Sequence, residues 1–107
     1  MDTPTHRKHL LLSAQSKGRF AGLRSVAVPP RQQAEEALLQ GHEVVFDFAG
    51  LAVTQSFVDE LIGALILRHG PDILDRIVFM NCSDDTRAII EFVAADRCDQ
   101  CSSARPH

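Results

Sequence analysis

Tryptophan and tyrosine are absent, and six phenylalanines are the aromatic complement of the whole chain. A platform for stacking single-stranded nucleic acid therefore lacks its main component, and nucleic acid is not an expected partner. Long apolar runs are also missing. The longest, Leu61 to Leu67, is about a third of a membrane span, so no membrane association is expected. The opening Met1-Asp2-Thr3-Pro4-Thr5-His6-Arg7-Lys8 carries basic residues but no following apolar stretch or small-residue cleavage site. It does not read as a secretory signal, and a cytoplasmic location is the expectation. Cysteine is sparse and odd in number: Cys82, Cys98 and Cys101. That argues against a disulfide framework. Cys98 and Cys101 have the spacing of zinc knuckles and redox motifs, but a structural zinc site needs four ligands and a redox pair belongs at a helix N-terminus. They read as tail cysteines, with metal or redox use as the alternative.

What is present is a 107-residue chain of ordinary globular composition, 45% hydrophobic and 23% charged. That is one small domain with room for one core. The formal charge of −3 hides an asymmetry. Residues 1–31 carry six Lys/Arg against Asp2, while the remainder carries five basic and thirteen acidic side chains. The basic part reads as a solvated N-terminus beside an acidic domain, or alternatively as a face for phosphate.

Residues 1–8 read as a loose lead, 9–97 as the domain and 98–107 as a polar tail. His9 to Ala14 is an apolar run that predicts a first strand, and Ser16-Lys17-Gly18 a turn. Arg19 to Leu23 is a weaker strand or an ordered loop. Pro29-Pro30 predicts a helix start, because proline is tolerated in the first turn, and Gly41 its stop. Glu43 to Phe48 is β-branched and aromatic and too continuous for a surface strand, so it reads as central and buried. Ser56-Phe57-Val58-Asp59 has the form of a capping box opening a helix that runs to His69. Arg76 to Asn81 is a further buried strand, and Ser83 caps a last helix to about Asp96. Alternating strands and helices imply parallel strands and an α/β fold, a single domain with about four strands in a mixed sheet and about three helices.

The run Val44 to Leu61, with its strand ending in Asp47, the turn at Ala49-Gly50-Leu51 and the serine opening the next helix, resembles the STAS domains of sulfate transporters and anti-sigma factor antagonists. Ser56-Phe57-Val58-Asp59-Glu60-Leu61-Ile62-Gly63 is similar to a bacterial STAS-like family of unknown function, and the resemblance spans about residues 18–97. It implies a non-catalytic regulatory module that docks onto a protein: a GHKL-type ATPase kinase or an anti-sigma factor. In such antagonists the kinase phosphorylates a Ser or Thr at this helix start, and the added charge works as a release switch. Here Ser56 takes the first of the two hydroxyl positions and Phe57 the second.

Ser56 is thus a candidate phosphosite, or simply a helix cap. Asp47, ending a buried strand, needs partners. It reads as an anchor for the following loop or as part of a ligand site. Gly50, Thr54, Gln55, Ser56, Asp59 and Glu60 make the candidate docking surface. Asp59 and Glu60 diverge by about 100° on a helix, so they read as dipole-complementing acids or contacts for a basic partner rather than as a catalytic pair. Arg24 is a candidate anion contact, which with Asp47 and the intervening chain would make a small anion or nucleotide sensor. A first strand at a sheet edge would also allow a homo-oligomer. Nucleophile elbow, phosphate-binding glycine loop, dinucleotide fingerprint and His-Glu-x-x-His are all missing from the sequence, so no enzyme, metal or cofactor is expected.

Overall fold

The computed structural model describes residues 6–16 and 19–104 of the chain. The expected lead and the turn at Ser16-Lys17-Gly18 therefore lie mostly outside the described residues. β1 (Arg7–Leu11) runs directly into a short helix, α1 (Leu12–Ser16), so the first strand is earlier and shorter than the apolar run predicts. Leu10 and Leu12 are both buried, and Leu12 is already helical. β2 (Phe20–Ala21) leads to α2 (Arg24–Leu39), then β3 (Glu43–Asp47) and β4 (Ala52–Val53). A continuous helical run follows: α3 (Gln55–Val58), a π turn (Asp59–Gly63) and α4 (Ala64–His69). A 3-10 turn (Pro71–Arg76), β5 (Ile77–Met80) and α5 (Asp84–Ala104) complete the described residues.

The expectation of about four strands in one mixed sheet is corrected. The described residues form five strands in two sheets, β1-β3-β5 and β2-β4. All pairings are parallel. Each return between paired strands passes through a helix, which leaves no hairpin to reverse a strand. β3 is the middle strand, as its apolar sequence predicts, with Val44 opposite Lys8 and Ile77, and Phe46 opposite Leu10 and Phe79. Alternation sends Val44, Phe46, Leu10 and Ile77 into one core with Ala34, Leu38, Phe57, Leu61, Leu65 and Ile90.

Among the described residues, five α-helical segments replace the expected three or so. α2 begins at Arg24, five residues before the prolines that were expected to open it. Proline's fixed φ is itself helical; what it lacks is the amide that would bond four residues back. Those lost bonds fall on the carbonyls of Ser25 and Val26, close to the helix start; Pro30 is buried, and Ala27, Ala34 and Ala37 compensate by packing into the core. Gly41 ends the helix at φ 88°, a region that favours glycine. Its amide donates to Leu38 and that of His42 to Ala37, satisfying the last carbonyls. α5 continues past Asp96 to Ala104, so Cys98 and the backbone of Cys101 belong to a helix rather than a loose tail. Ser83 caps it as expected, its hydroxyl oxygen accepting from the Thr86 amide at 3.1 Å. Among the described residues no helix is long and apolar enough to cross a membrane.

Candidate functional site

The helix that follows β4 starts two residues earlier than the capping pattern implies, and Thr54 caps it rather than Ser56. Thr54 Oγ1 accepts from the Phe57 amide at 3.2 Å and donates to the Gly22 carbonyl at 2.9 Å. One hydroxyl thus ends the helix and fastens it to the segment entering α2. β2 and β4 hold the same junction, since the Thr54 amide donates to Ala21 and the Ala52 amide to Arg19. Ser56 lies inside the first turn, exposed beside exposed Gln55. Gly50, at φ 69°, turns the chain between β3 and β4.

Asp59 and Glu60 are not open surface acids. Arg24 donates to Asp59 Oδ2 at 2.6 Å, and Arg97 of α5 donates through Nε to Oδ1 at 2.6 Å. The Asp59 side chain is 13% exposed. Burial pushes its carboxyl up, yet the hydrogen bonds and charges of Arg24 and Arg97 outweigh that and hold it below the ordinary 3.8. Glu60 accepts from Arg31 Nε at 3.0 Å, and Arg31, 6% exposed overall, also reaches Glu35. Glu35 in turn bonds Arg68 at 3.2 Å and His69 at 2.7 Å. His69's hydrogen bond is the main cause that lowers the Glu35 carboxyl from 4.5, against burial and with help from Arg68. Two adjacent acids, diverging as helix geometry requires, thereby tie α2 and α5 to the π turn.

Asp47 serves the C-terminal end of the main sheet. Its carboxylate accepts from Asn81 Nδ2 at 3.0 Å, meets His9 Nε2 at 2.9 Å and accepts from the Ala49 amide at 3.0 Å. These bonds, Asn81's foremost, lower its pKa from 3.8. The side chain thus links β3 to His9 of β1 and to Asn81 just after β5, and starts the following loop. Asn81 adopts φ 58° to reach it, a conformation asparagine tolerates better than most residues. Arg24 and Asp47 belong to separate networks, so the two halves of the expected anion site bind different partners. Burial raises the Cys82 thiol, with Arg87 opposing and Asp47 reinforcing that shift. It is protonated at neutral pH, the state of a packing cysteine. Among the described residues no group of three His, Cys, Asp or Glu side chains could hold a metal ion.

Several residues that build this region were not singled out by sequence reasoning: Thr54 as the cap, Arg31 and Arg97 as the cations, His9 and Asn81 as the partners of Asp47. Gly63 is another, because a Cβ there would lie 2.6 Å from Asp59 Oδ1 and 3.2 Å from Arg97 Nε. Its bare backbone is what lets Arg97 lie against the π turn. The Ser-Phe-x-Asp-Glu-Leu-x-Gly run therefore has a physical reading: Phe57 and Leu61 fill the core, Asp59 and Glu60 take arginines, and Gly63 clears the space.

Fold and site together define a small parallel α/β domain whose central helix is fastened by ion pairs. The chain belongs to the family described as a STAS-like domain of unknown function, whose model matches residues 31–87. That span holds Asp47, Thr54 and the whole Ser56 to Gly63 run; Arg24 and Arg97 lie outside it. No curated protein and no solved structure matches the chain.

Proposed function

We propose that this chain is a non-catalytic regulatory module that docks onto a protein partner through the loop Gly50 to Gln55 and the first turn of the helix after Thr54. The observation that carries this reading is the division of labour at that helix start. Asp59 and Glu60 are committed to arginines of the domain itself, while Gln55 and Ser56 stand exposed next to Thr54, which shares a groove with exposed Phe20 and Leu23. The family resemblance supplies the partner class: a GHKL-type ATPase kinase or an anti-sigma factor. With such a kinase the γ-phosphoryl of its ATP passes to Ser56 Oγ, the hydroxyl proton leaves and ADP remains. The ion pairs support such a switch, because Asp59 and Glu60 already have cations and oppose a nearby phosphate less than two bare acids would.

The test is capture of partners from the native host by the tagged full chain, comparing wild type, Ser56→Ala and Ser56→Asp. An ATPase or sigma-regulating protein held by wild type and Ser56→Ala but released by Ser56→Asp supports a switched docking module. Equal capture by all three leaves a constitutive docking domain and removes the switch. Capture of neither kind of protein overturns the partner class.

A further inference from the structure

Beside the helix start lies a groove of about 480 Å³ lined by Phe20, Ala21, Gly22, Leu23, Val26 and Thr54. Phe20 is 64% exposed and Leu23 68%. Two large apolar side chains flanking one groove are more than the scattered apolar exposure of an ordinary surface. The Phe20 ring lies over Gly22, where a Cβ would come within 2.7 Å of it, so the glycine backbone forms the floor beneath the ring. Thr54 lines the groove and caps the helix, making the two features one continuous surface.

Cations flank the segment that lines the groove. Arg19 and Arg24 bracket the groove in sequence, and both are exposed. Arg24 gives Asp59 a single Nη1 bond while its side chain stays 54% exposed. Asp59 is shared between Arg24 and Arg97, so that node has two cations for one anion. An apolar slot whose lining segment is flanked in sequence by two exposed guanidinium groups disfavours a basic ligand and favours one that carries carboxylates.

Resting on the docking reading, we propose that the partner presents an acidic amphipathic segment to this groove. Its large apolar side chain enters between Phe20 and Leu23, and its carboxylates meet Arg19 and Arg24. The apolar contact supplies most of the affinity, and the charges supply orientation and association rate.

The probe is a random peptide display library panned against the immobilised full chain, with selected peptides resynthesised for titration. The expected result is enrichment of peptides pairing Asp or Glu with a Leu, Phe, Met or Ile anchor. Their affinity falls about tenfold or more for Phe20→Ser/Leu23→Ser, and for the charge reversal Arg19→Glu. All three positions are exposed, so the variants keep the wild-type circular dichroism spectrum. Basic selected peptides, no enrichment, or equal binding to the variants overturns the proposal. A wild-type dimer that Phe20→Ser/Leu23→Ser converts to monomer also overturns it, by giving the groove to a second copy of the chain. If the groove variant still captures the Ser56-sensitive host protein, the groove is wrong and the docking reading survives.

Discussion

At the scale of single residues, Gly63 sets two effects against each other. Alanine in a helix interior is favoured over glycine by about 1 kcal/mol. Here the new methyl would press on Asp59 Oδ1, which two arginines hold in place, and on Arg97 itself. Overpacking of this kind costs about 1–3 kcal/mol, so the net is a loss. Urea unfolding of Gly63→Ala should give a lower midpoint than wild type, and a higher one would mean the Asp59–Arg97 contact yields freely. Thr54 and Ser56 offer a cleaner contrast. Thr54→Ala removes the acceptor for the Phe57 amide and the donor to Gly22, for a loss of about 1 kcal/mol or more. Ser56→Ala changes an exposed position and should stay within about 0.5 kcal/mol of wild type. A larger loss at Ser56 than at Thr54 would return the cap to Ser56.

At the scale of elements, the π turn Asp59–Gly63 is where α2, α5 and the central helix are joined by charge. Arg31 is its most buried cation, and Arg31→Met leaves Glu60 facing the interior without its guanidinium. That change should cost about 2–4 kcal/mol. Arg31→Met/Glu60→Gln should recover part of the loss, because the stranded charge is gone; the double-mutant cycle on urea midpoints measures the coupling. Strict additivity would mean that the pair contributes nothing jointly. The elements differ in how legible they are in the sequence. β3 and β5 declare themselves by apolar runs, and the end of α2 by Gly41, because burial and positive φ leave local marks. The start of α2 does not, since Pro29 and Pro30 mark a first turn locally, and only burial of residues such as Ala27 makes up for the bonds lost by holding them in the second. The helix after β4 offers two hydroxyls two residues apart, and the one chosen depends on a carbonyl 32 residues away, at Gly22. The π turn has no periodic signature. Its arginines lie 29, 35 and 38 residues from the acids they bind, a distance that no local pattern spans.

At the scale of the whole molecule, three carboxylates in separate places share one electrostatic state. Asp47 at the strand ends, Asp59 on the π turn and Glu35 on α2 all have pKa values lowered by folding. For a group of this sign the unfolded chain binds the proton more readily, so the stabilisation is complete above the ordinary values of 3.8 and 4.5. It is lost as the pH falls through the lower folded values. As far as these three groups decide it, urea midpoints should be flat from neutrality down to about pH 5.5 and then decline with acidification. The steepness of that decline counts the protons taken up on unfolding, so removing one titrating group must flatten it. Glu35→Gln is the informative variant, because Glu35 holds Arg31, Arg68 and His69 together on one carboxylate. It should be less stable than wild type at pH 7, and the gap should narrow as the pH falls below 4.5, where the unfolded wild-type carboxylate binds a proton more readily than the folded one. A gap that stays constant across that range would mean Glu35 acts by shape rather than charge. A wild-type midpoint that rises on acidification would show that the folded chain, not the unfolded one, takes up the protons.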